Sequence, residues 1–195
     1  YPLTYYSLWE DILTVADSKD FNIKGKTIAE IAATRNKDVY DTILDLIEEG
    51  KGSVKTFLFR FWEPDVRRIL AHPLSMVGTD GGILEALKSP RTPNPRIYGT
   101  YPNILGKYVR QEGVLTLQEA IRKMTSRPAQ VLGLKDRGLI REGMYADMVV
   151  FDPRRVIDRP DYCGYPQQYA EGIEYVFVNG KLVIDEGKPT RELPG

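Results

Sequence analysis

Histidine is almost missing from this sequence: His72 is the only one in 195 residues. A zinc hydrolase site ordinarily takes three protein ligands, mostly imidazole, so this chain alone does not supply one. Cysteine is as scarce. Cys163 stands alone, which excludes an intrachain disulfide and a cysteine-rich zinc site. No cationic neighbour marks it as reactive, and it reads as a spectator in a loop. An excess of charge is lacking too. Twenty-seven basic residues balance twenty-seven acidic ones, so no global field draws the chain to nucleic acid or to an anionic membrane. No apolar run approaches the roughly 20 residues of a membrane span, and no signal peptide opens the chain. The chain starts at Tyr1 rather than at a methionine, so a trimmed or incomplete N-terminus is expected, and with no signal or span in view a cytoplasmic location is the expectation.

What is present is the composition of a globular protein, 42% hydrophobic and 28% charged, long enough for one or two domains. Residues 12–15 (ILTV) read as a buried strand, and Thr27–Thr34 as a short amphipathic helix. Asp38 then caps a helix carrying Val39, Ile43, Leu46 and Ile47, which Gly50 stops. Val54–Trp62 is β-branched and aromatic, a strand, and Pro64 opens a helix through Ile69 and Leu70. Ser75–Thr79 reads as a further strand ending at Asp80-Gly81-Gly82. The alternation of strand and helix favours parallel α/β units.

From Lys88 to Pro102 four prolines predict a long irregular loop, of the length that often serves as a lid. Regular structure resumes over Asn103–Arg110, and Thr116 with Glu119 forms a capping box before the next helix. Pro128 restarts a helical turn that Gly133 ends. Beyond it, Gly138–Ile140, Ala146–Phe151 and Tyr175–Ile184 read as strands, the last a hairpin turning at Asn179-Gly180.

Asp80 is the leading candidate for chemistry. A carboxylate where a parallel strand ends sits at the edge that hosts active sites in (β/α) barrels, able to move a proton or bind a metal. Asp-Gly is also ordinary turn chemistry, so the residues alone leave both readings open. Arg96, in the proline-rich stretch, offers a fork matched to a carboxylate, or else a solvated loop arginine. His72, at the start of the expected strand and not its end, reads as structural. The aromatic run Phe57, Phe59, Phe61 and Trp62 reads as a buried strand, because base-stacking platforms sit in basic grooves and this chain has no excess of positive charge.

Several strings carry a resemblance. His72–Gly81 (HPLSMVGTDG), Pro95–Pro102 (PRIYGTYP) and Leu105–Tyr108 (LGKY) resemble the N-acyl-D-amino-acid deacylases of the metal-dependent amidohydrolase superfamily. Met124–Ala129 (MTSRPA) and Gly138–Asp152 (GLIREGMYADMVVFD) are similar to the exit from the barrel across that superfamily, including dihydroorotases and hydantoinases. The resemblance implies an α/β fold: residues 1–134 as C-terminal units of a (β/α)8 TIM-type barrel, and 135–195 as a small β-sandwich module. It implies zinc-dependent hydrolysis of the amide of a small N-acyl amino acid. Asp80 would be the catalytic acid/base beside the metal and a metal ligand, and Arg96 would grip the substrate carboxylate. Tyr1-Pro2 with Ser7 is similar to a substrate-contacting segment of the family.

The departures are as informative. The family's His-x-His pair, its bridging ligand and its two later histidines have no counterpart here. A complete barrel takes about 250 residues. The lone chain is therefore expected to be inactive and to need its missing N-terminal half or a partner subunit, since a half-barrel exposes edges and apolar surface. Two rival readings remain, another amidohydrolase of the hydantoinase or dihydroorotase kind and a non-catalytic half-barrel that pairs with a partner chain.

Overall fold

A computed structural model describes residues 12–15, 21–52, 54–58, 61–82, 94–160 and 168–194. The chain divides into two compact units, one holding the described residues up to Trp62 together with Gly82 and Asn94, the other Glu63–Gly81, Pro95–Pro160 and the tail from Gln168.

The first unit is built on a helical hairpin, α1 (Ile28–Arg35) and α2 (Val39–Glu49). Thr27 closes α1 with a full capping box: its hydroxyl accepts from Glu30 N at 3.2 Å, and Glu30 accepts from Thr27 N at 2.8 Å. Asn36, with φ +49°, ends α1 in the left-handed region, and Asp38 caps α2 through Tyr40 N at 2.7 Å. Ile23, Ile28, Ile31 and Leu46 form the buried seam, with Val39 and Ile43 packed against it. Arg35 grips Glu49 with two hydrogen bonds, at 3.0 and 2.8 Å, across the hairpin.

Two short strands flank the hairpin, β1 (Ile12–Val15) and β2 (Lys55–Leu58), and they pair antiparallel with Ile12 opposite Leu58. The expectation of parallel units fails here for a topological reason. One helix between strands returns the chain for a parallel partner, whereas two helices reverse it once more and deliver the next strand antiparallel.

The second unit begins with α3 (Glu63–Ala71), as Pro64 in its first turn predicts. Ser75–Thr79 forms no strand: the stretch from Ser75 to Gly82 is irregular. A strand needs a lateral partner, and none is available among the described residues. The Val77 amide is bonded instead to the Lys123 carbonyl, at 3.2 Å. The expected loop to Pro102 is also overturned over its described part, because α4 (Arg96–Asn103) begins immediately after Pro95. Proline presets a helical φ at a helix start, so the same residue that suggests a breaker serves as an opener.

Pro102 lies inside α4, and beyond it the helix widens into a π-helical segment, Ile104–Gln111. The bond from Glu112 N to Lys107 O, at 2.9 Å, spans the five residues of that wider turn. Then follow α5 (Leu117–Met124) and α6 (Ser126–Leu132), the latter ended by Gly133 at φ +72°. Thr116 caps α5 through Glu119 N at 3.2 Å, while the Glu119 carboxylate holds Arg122 with two bonds of 2.8 Å.

Gly138–Ile140 is not a strand. Gly138 has φ +89°, and a Cβ there would lie 2.7 Å from the Ala129 Cβ, so this residue is set for close passage over α6. The tail is an antiparallel meander of β3 (Met148–Phe151), β4 (Ile173–Val178), β5 (Lys181–Asp185) and β6 (Lys188–Pro189). Asn179-Gly180 turns β4 into β5 with both φ values positive, +51° and +78°, as a type I′ hairpin requires. Glu186-Gly187, at +46° and +76°, makes the same kind of turn without the Asn-Gly signature. A second sheet that would make a sandwich is not among the described residues of this unit. The core of the unit is Ile104, Leu105, Tyr108, Leu115, Ala120 and Val156.

Candidate functional site

Asp80 stands at the corner where the irregular stretch after α3 meets α4. Its φ is +48°, in the left-handed region that aspartate tolerates better than most residues. Beside it, the Gly81 amide donates to the Thr79 hydroxyl at 3.2 Å. Gly81 leaves no room for a side chain, since a Cβ would sit 2.5 Å from Ile97 Cγ1. That close approach presses the first turn of α4 onto the corner and brings Arg96 Nη2 to 3.0 Å from Asp80 Oδ2.

The two residues singled out from the sequence thus form one ion pair, although sixteen positions separate them. The Asp80 side chain is 89% exposed and that of Arg96 46%. A pair so wet contributes about 0–1 kcal/mol, weak enough for either partner to be exchanged for another charge. Chemically it presents an accessible carboxylate, able to hold or release a proton, beside a guanidinium fork matched to a second carboxylate.

Behind the corner lies a residue that sequence reasoning missed. Lys123 has no solvent exposure, and its ammonium donates to Ser75 Oγ at 2.9 Å, to Ser75 O at 3.2 Å and to His72 O. The signal was there: Lys123 follows Ala120 by three positions, which puts it on the buried face of α5. His72 itself is exposed and accepts from Leu74 N through Nδ1, at 3.3 Å. It makes a local turn and stands apart from Asp80 in its bonding.

The LGKY string has its own job. Gly106 lies against residues 156–157, where a Cβ would meet Val156 O at 2.8 Å, and Lys107 bonds Glu63 of α3 at 2.9 Å. Tyr108 is buried beside them. The Lys107 hydrogen bond holds the Glu63 carboxyl below its ordinary range, and burial pushes the Tyr108 hydroxyl up. This cluster locks α3 to the π-helical segment.

No three His, Cys, Asp or Glu side chains gather into a metal site among the described residues. Asp80 offers one oxygen ligand, already engaged by Arg96, so the residues present do not fit a complete zinc centre. Tyr1, Pro2, Ser7 and Cys163 lie outside the described residues.

The amidohydrolase family matches residues 28–184, from the start of α1 into β5. D-aminoacylase of Alcaligenes xylosoxydans xylosoxydans is 40% identical over 164 residues, covering 84% of this chain and 32% of the relative. A solved structure of D-aminoacylase superposes with a TM-score of 0.76 at 37% identity, over 93% of this chain and 36% of that one. N-acyl-D-glutamate deacylase from Bordetella bronchiseptica, solved with zinc and a phosphonate inhibitor that mimics the tetrahedral intermediate, gives 0.74 at 34% identity, over 92% of this chain and 36% of that one. The chain therefore spans about a third of the length of these relatives. With the match running through both units and across the Asp80–Arg96 corner, the chain belongs to the amidohydrolase family.

Proposed function

We propose that this chain carries the C-terminal third of a metal-dependent hydrolase that cleaves the amide bond of N-acyl-D-amino acids. The observation that carries the reading is the meeting of Asp80 and Arg96 at 3.0 Å within sequence shared with D-aminoacylase. The substrate carboxylate takes Asp80's place on the Arg96 fork, which anchors the substrate and leaves the Asp80 carboxylate free to act as a base. Asp80 then accepts the proton of the attacking water and passes it to the departing amine. Arg96 supplies orientation, holding the scissile amide next to the group that must move the proton.

Zinc belongs to this proposal through polypeptide outside the chain. Asp80 would contribute one ligand, and the imidazoles would come from the rest of the relatives' length or from a partner subunit. Support for such a need lies on α2, where Tyr40, Leu44 and Ile47 are 64%, 64% and 54% exposed and share one helix face. In the same proposal residues 1–134 complete a (β/α)8 barrel and 135–195 a β-sandwich. No helix among the described residues is long and apolar enough to cross a membrane, and the cytoplasm is the proposed compartment.

The test is to express the whole reading frame that encodes this chain and assay it, with zinc, on N-acetyl-D- and N-acetyl-L-amino acids. Turnover of the D series is the expected result. Hydrolysis confined to cyclic amides such as hydantoins or dihydroorotate would move the chain to another branch of the family. Absence of any amide hydrolysis would sink the reading.

A further inference from the structure

Burying an ammonium costs several kcal/mol unless every N–H finds an acceptor and a counter-charge stands near. Lys123 meets both conditions in an unusual way. Its three acceptors, His72 O, Ser75 O and Ser75 Oγ, all belong to one short stretch of chain that leads into Asp80. Glu119, one turn earlier on α5, lies 3.6 Å from the ammonium. Arg122, held by the same Glu119, reaches Pro73 O at 3.4 Å. The α5 backbone joins in, because Lys123 O accepts from Val77 N at 3.2 Å.

Helix α5 thus holds the stretch 72–77 at four residues, from about fifty positions away. That stretch has no sheet to fix it, so its path is set by these bonds. Three residues after the last of them comes Asp80. On the other side, Gly81 is fixed by its contact with Ile97. We propose that Lys123, backed by Glu119, is a positioning residue that sets the place of the Asp80 carboxylate for proton transfer. The inference rests on the functional reading above. A hydrophobic residue would fill the same volume without the desolvation cost, and the ammonium's distinct contribution is to aim three donors at chosen carbonyl and hydroxyl oxygens.

The experiment uses the enzyme made from the whole reading frame, with Lys123→Met, which keeps the length of the side chain and removes its donors, and Ser75→Ala, which removes one acceptor. Steady-state kinetics on an N-acetyl-D-amino acid and hydrogen exchange are measured together. Lys123→Met is expected to lower kcat by about ten- to a hundred-fold with KM little changed, as a misplaced proton-transfer group does. Exchange should quicken in peptides covering 72–82 and stay unchanged in α1–α2 and in the β meander. Ser75→Ala should show the same pattern at about two- to five-fold. A folded Lys123→Met enzyme with undiminished kcat overturns the proposal and leaves Lys123 as core filling. Should that variant fail to fold, an unchanged kcat in Ser75→Ala overturns it equally. An inactive parent enzyme would signal failure of the functional reading instead. Exchange at 72–82 then reports separately whether α5 holds the stretch, and unaltered exchange overturns that as well.

Discussion

The helical hairpin and the Asp80 corner are fixed in opposite ways. Every end of α1 and α2 is set by residues within four positions: Thr27 with Glu30, Asn36 in its left-handed turn, Asp38 with Tyr40, and Gly50 with Leu46. The stretch from His72 to Gly81 has a few local turn bonds, but it is tied down by partners far along the chain, Lys123 on one side and Ile97 on the other. Local closure gives a sturdy element with a plain sequence signature. Remote closure leaves a carboxylate exposed at a chosen place, and it makes that place hostage to distant substitutions.

The largest expected effect falls on the corner. In the enzyme made from the whole reading frame, Asp80→Asn should lower kcat by about 10²–10⁴-fold while thermal stability stays the same, because the pair it breaks is exposed. A variant that keeps its turnover would remove Asp80 from the chemistry. Next comes Gly106→Ala, for which two effects compete. Alanine gains about 1 kcal/mol of helix propensity. Against that, its Cβ would lie 2.8 Å from the Val156 carbonyl, a backbone atom that cannot swing away, and overpacking of this kind costs about 1–3 kcal/mol. Urea unfolding should show a net loss, and a gain would mean that residues 156–157 yield readily.

On the hairpin, Thr27→Ala removes a cap and should cost about 1 kcal/mol, read as a lower unfolding midpoint with activity per folded molecule unchanged. The smallest effect is in acid. The hydrogen bond from Arg122, aided by the charges of Arg122 and Lys123, lowers the Glu119 carboxyl from 4.5 to about 2. A carboxyl lower in the folded state stabilises above its unfolded value, and that stability fades as pH falls from about 4.5 toward 2. The melting temperatures of the parent and of Glu119→Gln should therefore converge over that interval. A constant gap down to pH 2 would show that the carboxylate's charge has no part in it.

The same contrast explains how much could be read from the sequence. Thr27–Arg35 and Asp38–Gly50 announce themselves, as do Gly133 and Asn179-Gly180, because caps and tight turns are local chemistry. The order of pairing was in principle legible too, since two helices stand between β1 and β2. The apolar spelling of Ser75–Thr79 misleads, for a strand is a relation between segments and the spelling names only one of them. Proline misleads at Pro95 because opener and breaker look alike until the next residues are seen in place. Asp80 and Arg96 were visible through their strings, whereas their contact was not, as nothing in the fifteen intervening residues encodes a 3.0 Å distance. Lys123 stayed hidden because a lysine in a helix is normally written down as solvent-facing.

The two-residue turns of the tail have a consequence in time. A hairpin closed by Asn179-Gly180 or Glu186-Gly187 brings its strands together in about 1–10 µs, with almost no loop entropy to overcome. The bonds from Lys123 to His72 and Ser75 close loops of 51 and 48 residues, and contacts of that range form late in a folding reaction. As the chain leaves the ribosome, His72 emerges well before the helix that will hold it. When the finished chain refolds from denaturant, the corner bearing Asp80 is therefore expected to order after the meander has closed, whereas during synthesis α5 emerges ahead of the meander and can hold the corner first.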